Sequence, residues 1–167
     1  MFKYVCGLAS ALVFVALTSM SYAQSEGADT AVKISKFADW SVRCVTSEKT
    51  VCRTFQRIYV DRGGKRVIWA SISIGRDDIR INGPLGVALD AGATITVAGH
   101  TETFPFAFCI RSGCRAVGPS SDELFNLLKK QNTAMISFQR RNGREMQAQV
   151  SLNGFTRAAL AMLEQSE

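Results

Sequence analysis

Residues 51–74 read VCRTFQRIYVDRGGKRVIWASISI. Two runs rich in β-branched and aromatic residues, 51–60 and 66–74, flank Asp61-Arg62-Gly63-Gly64-Lys65. Glycines supply the left-handed backbone that a tight turn needs, so this stretch predicts two antiparallel strands joined as a hairpin. Within the second run Val67, Trp69, Ser71 and Ser73 alternate with Ile68, Ala70, Ile72 and Ile74. A period of two places the sets on opposite faces of a sheet.

The same pattern extends in both directions. Residues 37–45 form a predicted strand with Trp40, Val42 and Cys44 on one face, and short strands are predicted at 79–81, 87–89, 94–97, 103–109 and 114–117. Glycine, proline and aspartate turns separate them. The run PLGVALDAG, 84–92, predicts a short buried strand between two tight corners, and Trp40 and Trp69 are expected in core packing. Ser120 followed by Glu123 has the spacing of a capping box, and Leu124, Phe125, Leu127 and Leu128 then share a helical face up to Lys130. Strands resume at 134–140 and 145–152 around Arg141-Asn142-Gly143, a tight-turn sequence, and 155–163 predicts a second short helix. Regularly spaced strands without repeated βαβ units point to an antiparallel β-sandwich with one or two short helices.

With 167 residues, 47% apolar and 20% charged, the chain suits one folded domain rather than a disordered or multidomain protein. Lys3, the apolar run VCGLASALVFVAL at 5–17 and Ser21-Tyr22-Ala23 fit a cleaved secretory signal over 1–23. The run falls short of the roughly 20 residues that span a bilayer. Cys6 lies too early in it for a lipoprotein. Residues 24–32 are then expected as a flexible arm and 33–167 as a single domain.

Behind such a signal four cysteines remain: Cys44, Cys52, Cys109 and Cys114. An even number in an exported chain implies disulfides. Cys109 and Cys114 enclose four residues ending in glycine, a hairpin spacing that places facing residues near bridging distance. That pairs Cys109 with Cys114 and Cys44 with Cys52. Zinc ligands usually sit closer in sequence, His100 is the single histidine, and the Cys-x-x-Cys of redox centres is missing, so no metal and no cofactor are expected.

No nucleophile elbow, phosphate loop, dinucleotide fingerprint or zinc-protease motif occurs, and no catalytic residue is expected. His100 reads as an exposed turn residue, and Asp77-Asp78 as solvated carboxylates. The net charge is +6, and loss of 1–23 removes Lys3 and no acid, leaving +5. Basic residues are scattered from Lys33 to Arg157, and the densest groups are Lys129 and Lys130 at a helix end and Arg140, Arg141 and Arg144 at a turn. These five form the candidate surface for an anionic partner, provided that helix end and turn meet in space.

Trp40-Ser41-Val42-Arg43-Cys44, VCRTFQ around Cys52, PLGVALDAG, FPFAFCIRSGCRA at 104–116 and SLNGFTRAAL at 151–160 together resemble the invasion-associated locus B family of secreted bacterial proteins. The resemblance implies an immunoglobulin-like β-sandwich, export to the periplasm or outer membrane of α-proteobacteria, and for some members a part in host-cell invasion. It carries over no catalytic residue. The expectation is an exported, disulfide-stabilised, non-catalytic protein of the cell envelope. Its partners would be envelope or host-surface proteins or an anionic glycolipid, not nucleic acid. The alternatives are a periplasmic chaperone-like or assembly accessory protein, whose exposed strand edges would matter more than its charge, and an unrecognised periplasmic hydrolase.

Overall fold

A computed structural model describes residues 30–166. The predicted signal and positions 24–29 of the predicted arm lie outside the described residues. Seven strands form one antiparallel sheet: β1 (Ala31–Phe37), β2 (Trp40–Thr46), β3 (Thr50–Arg62), β4 (Lys65–Ile74), β5 (Asp78–Gly83), β8 (Phe106–Ile110) and β9 (Gly113–Pro119). Their order is β1-β2-β3-β4-β5-β9-β8. The other four, β6 (Ala93–Val97), β7 (His100–Phe104), β10 (Thr133–Gln139) and β11 (Glu145–Ser151), form a second sheet in the order β11-β10-β6-β7. Two helices, α1 (Asp122–Lys130) and α2 (Phe155–Gln165), complete the fold. No helix among the described residues is long and apolar enough to cross a membrane.

One face of the large sheet is buried, and two different elements cover it. Toward β4 and β8 the cover is the small sheet: Phe138 of β10 meets the edge of Trp69 at 5.2 Å and stacks on Phe106 at 6.4 Å. A Cβ at Gly83 would stand 2.4 Å from that ring, so β5 carries glycine where the sheets approach. Toward β2 and β3 the cover is α2, whose Phe155 meets the fully buried Trp40 at 4.8 Å. The Trp40 indole donates to the Ser151 carbonyl at 2.8 Å, and the buried Gln56 amide donates to the same oxygen at 2.9 Å and to the Asp39 carbonyl at 3.2 Å. The polar groups at this seam are satisfied, so burial of each ring can contribute its full ~2–3 kcal/mol.

The sequence and the structure part at several places, each with a local cause. The strand expected over 37–45 is a hairpin instead: Ala38, in the left-handed region at φ 52°, and Asp39 turn the chain between β1 and β2. Order therefore begins earlier than Lys33, since Ala31 and Val32, placed in the arm, pair with Thr46 and Val45. The expected strand at 103–109 breaks at Pro105, which ends β7 in one sheet and releases β8 into the other. Residues 87–89 make no strand; Val87 is buried through a single bridge to Arg140, while Leu85 and Leu89 are exposed. The alternation over 66–74 slips at a bulge where Ile58 faces Ala70 and Tyr59 faces Ile68, leaving Trp69 as the extra residue and Ile68 exposed. The cap of α1 is Ser121, not Ser120: its hydroxyl accepts from the Leu124 amide at 3.0 Å. Asn142-Gly143 closes a longer loop than a two-residue turn, with the Gly143 amide on the Arg140 carbonyl at 2.9 Å.

Candidate functional site

The five cations picked from the sequence are not one surface. Lys130 ends α1 just before β10 starts at Thr133, and Arg140 follows its last residue, Gln139. A seven-residue strand holds its ends about 20 Å apart. Lys129 lies over the Phe125 ring at 5.1 Å and Lys130 is exposed at one end, while Arg140, Arg141 and Arg144 are exposed at the other.

The structure gathers a different set. In each inward-facing run of the large sheet the intervening residue points to solvent. Arg43 lies between Val42 and Cys44, Arg53 between Cys52 and Thr54, Arg57 between Gln56 and Ile58, Arg80 between Ile79 and Ile81, and Arg115 between Cys114 and Ala116. All five line one depression of about 720 Å³ on the open face. From β2 to β9 the cluster spans four strand spacings, roughly 19 Å, and Arg53 to Arg57 adds about 13 Å along β3. Between the arginines the floor carries Phe55, Ser71, Ser73 and Asn82.

Arg43 stands directly opposite Arg53 in the β2–β3 register. Like charges in cross-strand pairs destabilise a sheet, so this arrangement favours a counter-anion. The carboxylate within reach is Asp78, bound by Arg53 Nη1 and, at 2.7 Å, by Arg80 Nε. Partial burial pushes the Asp78 carboxyl up, but the hydrogen bonds from Arg53 and Arg80, with their charges, outweigh it and hold it below the ordinary carboxylate range. Arg53 also donates to the Ser73 hydroxyl at 2.9 Å and to the Ser73 and Asp78 carbonyls at 3.1 Å, so it is a strut. Gly75 makes room for it: a Cβ there would lie 2.5 Å from Arg53 Nη1.

The remaining guanidinium groups are open to a ligand. Arg80 binds Asp78 and Arg115 binds the Asn82 carbonyl oxygen, 2.8 Å, each through Nε, which leaves their Nη ends without a hydrogen bond among the described residues. Arg115 also lies over the Phe108 ring at 5.4 Å. Arg43 and Arg57 are exposed and make no side-chain hydrogen bond or ion pair within the described residues. Planar guanidinium forks suit oxyanions, which accept two parallel hydrogen bonds.

His100 and Asp78 both depart from their expected solvated states. His100 is partly buried; Nε2 faces Glu102 Oε1 at 2.9 Å and Nδ1 faces Glu123 Oε1 at 3.3 Å. Only imidazolium donates from both nitrogens. The hydrogen bond to Glu102 raises its pKa most, against partial desolvation, and the Glu123 and Glu102 charges add to the rise. Ser121 Oγ donates to the same Glu102 oxygen. The carboxylate thus sits between serine and imidazole, whereas a hydrolytic triad needs the imidazole in the middle. This cluster ties β7 to the start of α1.

Both disulfides cross adjacent antiparallel strands. Cys44 faces Cys52 with Cα atoms 4.0 Å apart, and Cys109 faces Cys114 at 3.9 Å. The first is buried beneath the arginine face, joining the strands that carry Arg43 and Arg53. The second pins the hairpin beside Arg115, with Cys109 exposed and Cys114 buried.

The family model described as Invasion associated locus B (IalB) protein matches residues 40–163. The chain belongs to the invasion associated locus B family. All five arginines and both disulfides fall inside the matched span. The crystal structure of invasion associated protein b from Bartonella henselae is similar in fold, with TM-score 0.67 and 16% identity over 79% of this chain and 95% of that one. Among curated proteins none matches the sequence.

Proposed function

We propose that this member of the invasion associated locus B family is an exported, non-catalytic protein of the periplasm or outer cell envelope, and that it docks on an anionic component of the envelope or of a host-cell surface. The observation that carries the reading is the open face of the large sheet, where five arginines line one depression and the Asp78 carboxylate pairs with only two of them, Arg53 and Arg80. Such a face raises the local concentration of anions and orients them without performing chemistry. Two disulfides suit an oxidising compartment outside the cytoplasm. The association of this family with invasion supports a contribution to host-cell invasion.

Retention on immobilised outer-membrane and host-membrane extracts tests the reading. The intact protein should be held at low salt and released as salt rises, and a variant with Arg43, Arg57 and Arg115 replaced by glutamine should pass through. Passage of the intact protein at low salt refutes it. A second reading, an accessory protein that receives strands of envelope proteins during assembly, draws on the outer edge of β1, which pairs with no strand among the described residues and where Val32 and Ile34 are exposed. Crosslinking from β1 to a nascent outer-membrane protein in intact cells would favour it.

A further inference from the structure

We propose that the ligand of the arginine depression is a sulfated polysaccharide of the host-cell surface, an inference that rests on the docking reading above. The cations are all arginine and they are separated by a neutral floor. Arg43 and Arg57 lie over the β2–β3 side and Arg80 and Arg115 over the β5–β9 side, with Ser71 and Ser73 of β4 between them; Phe55 lies between Arg53 and Arg57 on β3, and Ile34, Val45 and Val51 line the β1–β3 end. A ligand that fills this surface carries spaced oxyanions joined by a backbone with both polar and apolar faces.

The floor donates as well. Ser73 Oγ accepts from Arg53 Nε and Ser71 Oγ accepts from the Asn82 amide at 3.0 Å, so each hydroxyl keeps its proton for a ligand oxygen. Asn82 Oδ1 is already taken by Arg115. The half-buried Phe55 ring supplies an apolar surface of the kind that packs on the C–H face of a sugar. Sulfate esters on a sugar chain match this order of donors, ring and donors, each ester accepting a guanidinium fork.

The shape and the aromatic content set this class apart from the others. A depression of about 720 Å³, with Ser71 and Ser73 on its floor, gives a polysaccharide chain donors along its length, whereas bilayer headgroups would meet chiefly the exposed arginines at its rim. Single-stranded nucleic acid is held by successive stacking aromatics, and among the described residues the aromatics at this surface are Phe55 on β3 and Phe108 beneath Arg115, on opposite sides of the cluster rather than in succession.

Titration calorimetry of the disulfide-intact exported chain decides the proposal, using heparin, chemically desulfated heparin, a phosphorylated mannan and vesicles with one-third phosphatidylserine. Heparin should bind, with affinity falling as salt rises, and desulfation should weaken binding at least about tenfold. Arg57→Gln with Arg115→Gln should lower heparin affinity about tenfold per arginine, and Arg57→Lys with Arg115→Lys should recover only part, because lysine keeps the charge without the fork. A thermal midpoint close to the parent's shows that the variants are folded. Equal binding of desulfated heparin, or full affinity in the folded glutamine variant, overturns the proposal. Binding of vesicles or phosphomannan in place of heparin, lost in the glutamine variant, overturns the sulfated class and leaves the docking reading standing. Failure of every polyanion overturns both.

Discussion

Replacing Asp78 by asparagine should weaken the fold and tighten anion binding at once. The amide keeps the size of the carboxyl and removes the charge that holds Arg53 and Arg80, whose side chains are 17% and 43% exposed. Hydrogen bonds to a charged group are worth about 1.5–3 kcal/mol against about 1 for neutral ones, and solvent reaches part of this cluster, so the net loss of stability is about 1–2 kcal/mol. The same carboxylate repels any anion in the depression. At about 8 Å and an effective dielectric of about 40 that repulsion is about 1 kcal/mol, or roughly fivefold in affinity at low ionic strength. At physiological salt, where the screening length is about 8 Å, the gain shrinks to about twofold. Urea denaturation and heparin titration at two salt concentrations measure the two effects on one preparation. Lower affinity alongside lower stability would refute the reasoning, since it would make Asp78 a ligand-positioning group rather than a competitor. The parent should also lose this contribution in acid: the depressed Asp78 pKa gives stability above the unfolded carboxyl value near 4 that disappears as pH falls through the folded one.

Gly154→Ala should destabilise by about 3 kcal/mol or more in urea titration, because at φ 88° its Cβ would sit 2.1 Å from the Phe37 carbonyl oxygen where α2 begins. The raised pKa of His100 supplies stability that is complete below about pH 6.5 and is lost as pH rises through the folded value; His100→Gln should flatten that slope in thermal melts between about pH 6 and 8. Mild reductant followed by alkylation and mass mapping should open Cys109–Cys114 before Cys44–Cys52, since Cys109 is exposed and both other partners are buried; each bridge lost should cost about 2–3 kcal/mol without abolishing folding.

What could be read in advance was whatever the chain encodes locally. The β3–β4 hairpin announces itself through a period of two and a glycine pair, and both disulfides join residues that adjacent strands place face to face. The β1–β2 turn has no glycine or proline; Ala38 takes positive φ in an exposed turn that is tied to the segment before α2 by the Asp39 amide on the Asn153 carbonyl, a contact distant in sequence. No local signal marks it. Pro105 did carry one, the missing donor, but an apolar run on both sides hid the change of sheet.

The arginine face was half legible. Each of Arg43, Arg53, Arg57, Arg80 and Arg115 occupies the outward phase of its own alternating run, which the sequence displays. Their convergence depends on β9 lying beside β5, a pairing across more than thirty residues that no local pattern fixes. Counting cations by proximity in sequence favoured 129–144 instead, where one intervening strand keeps the two groups apart.

Salt-gradient elution from immobilised heparin separates these two surfaces most directly. The parent, a variant with Arg43, Arg57 and Arg115 replaced by glutamine, and one with Arg140, Arg141 and Arg144 replaced by glutamine lose equal charge in the two altered forms. If the sheet face is the docking surface, the first variant elutes near the start of the gradient and the second close to the parent. Elution of the second variant ahead of the first would contradict the account and move the site to the β10–β11 turn.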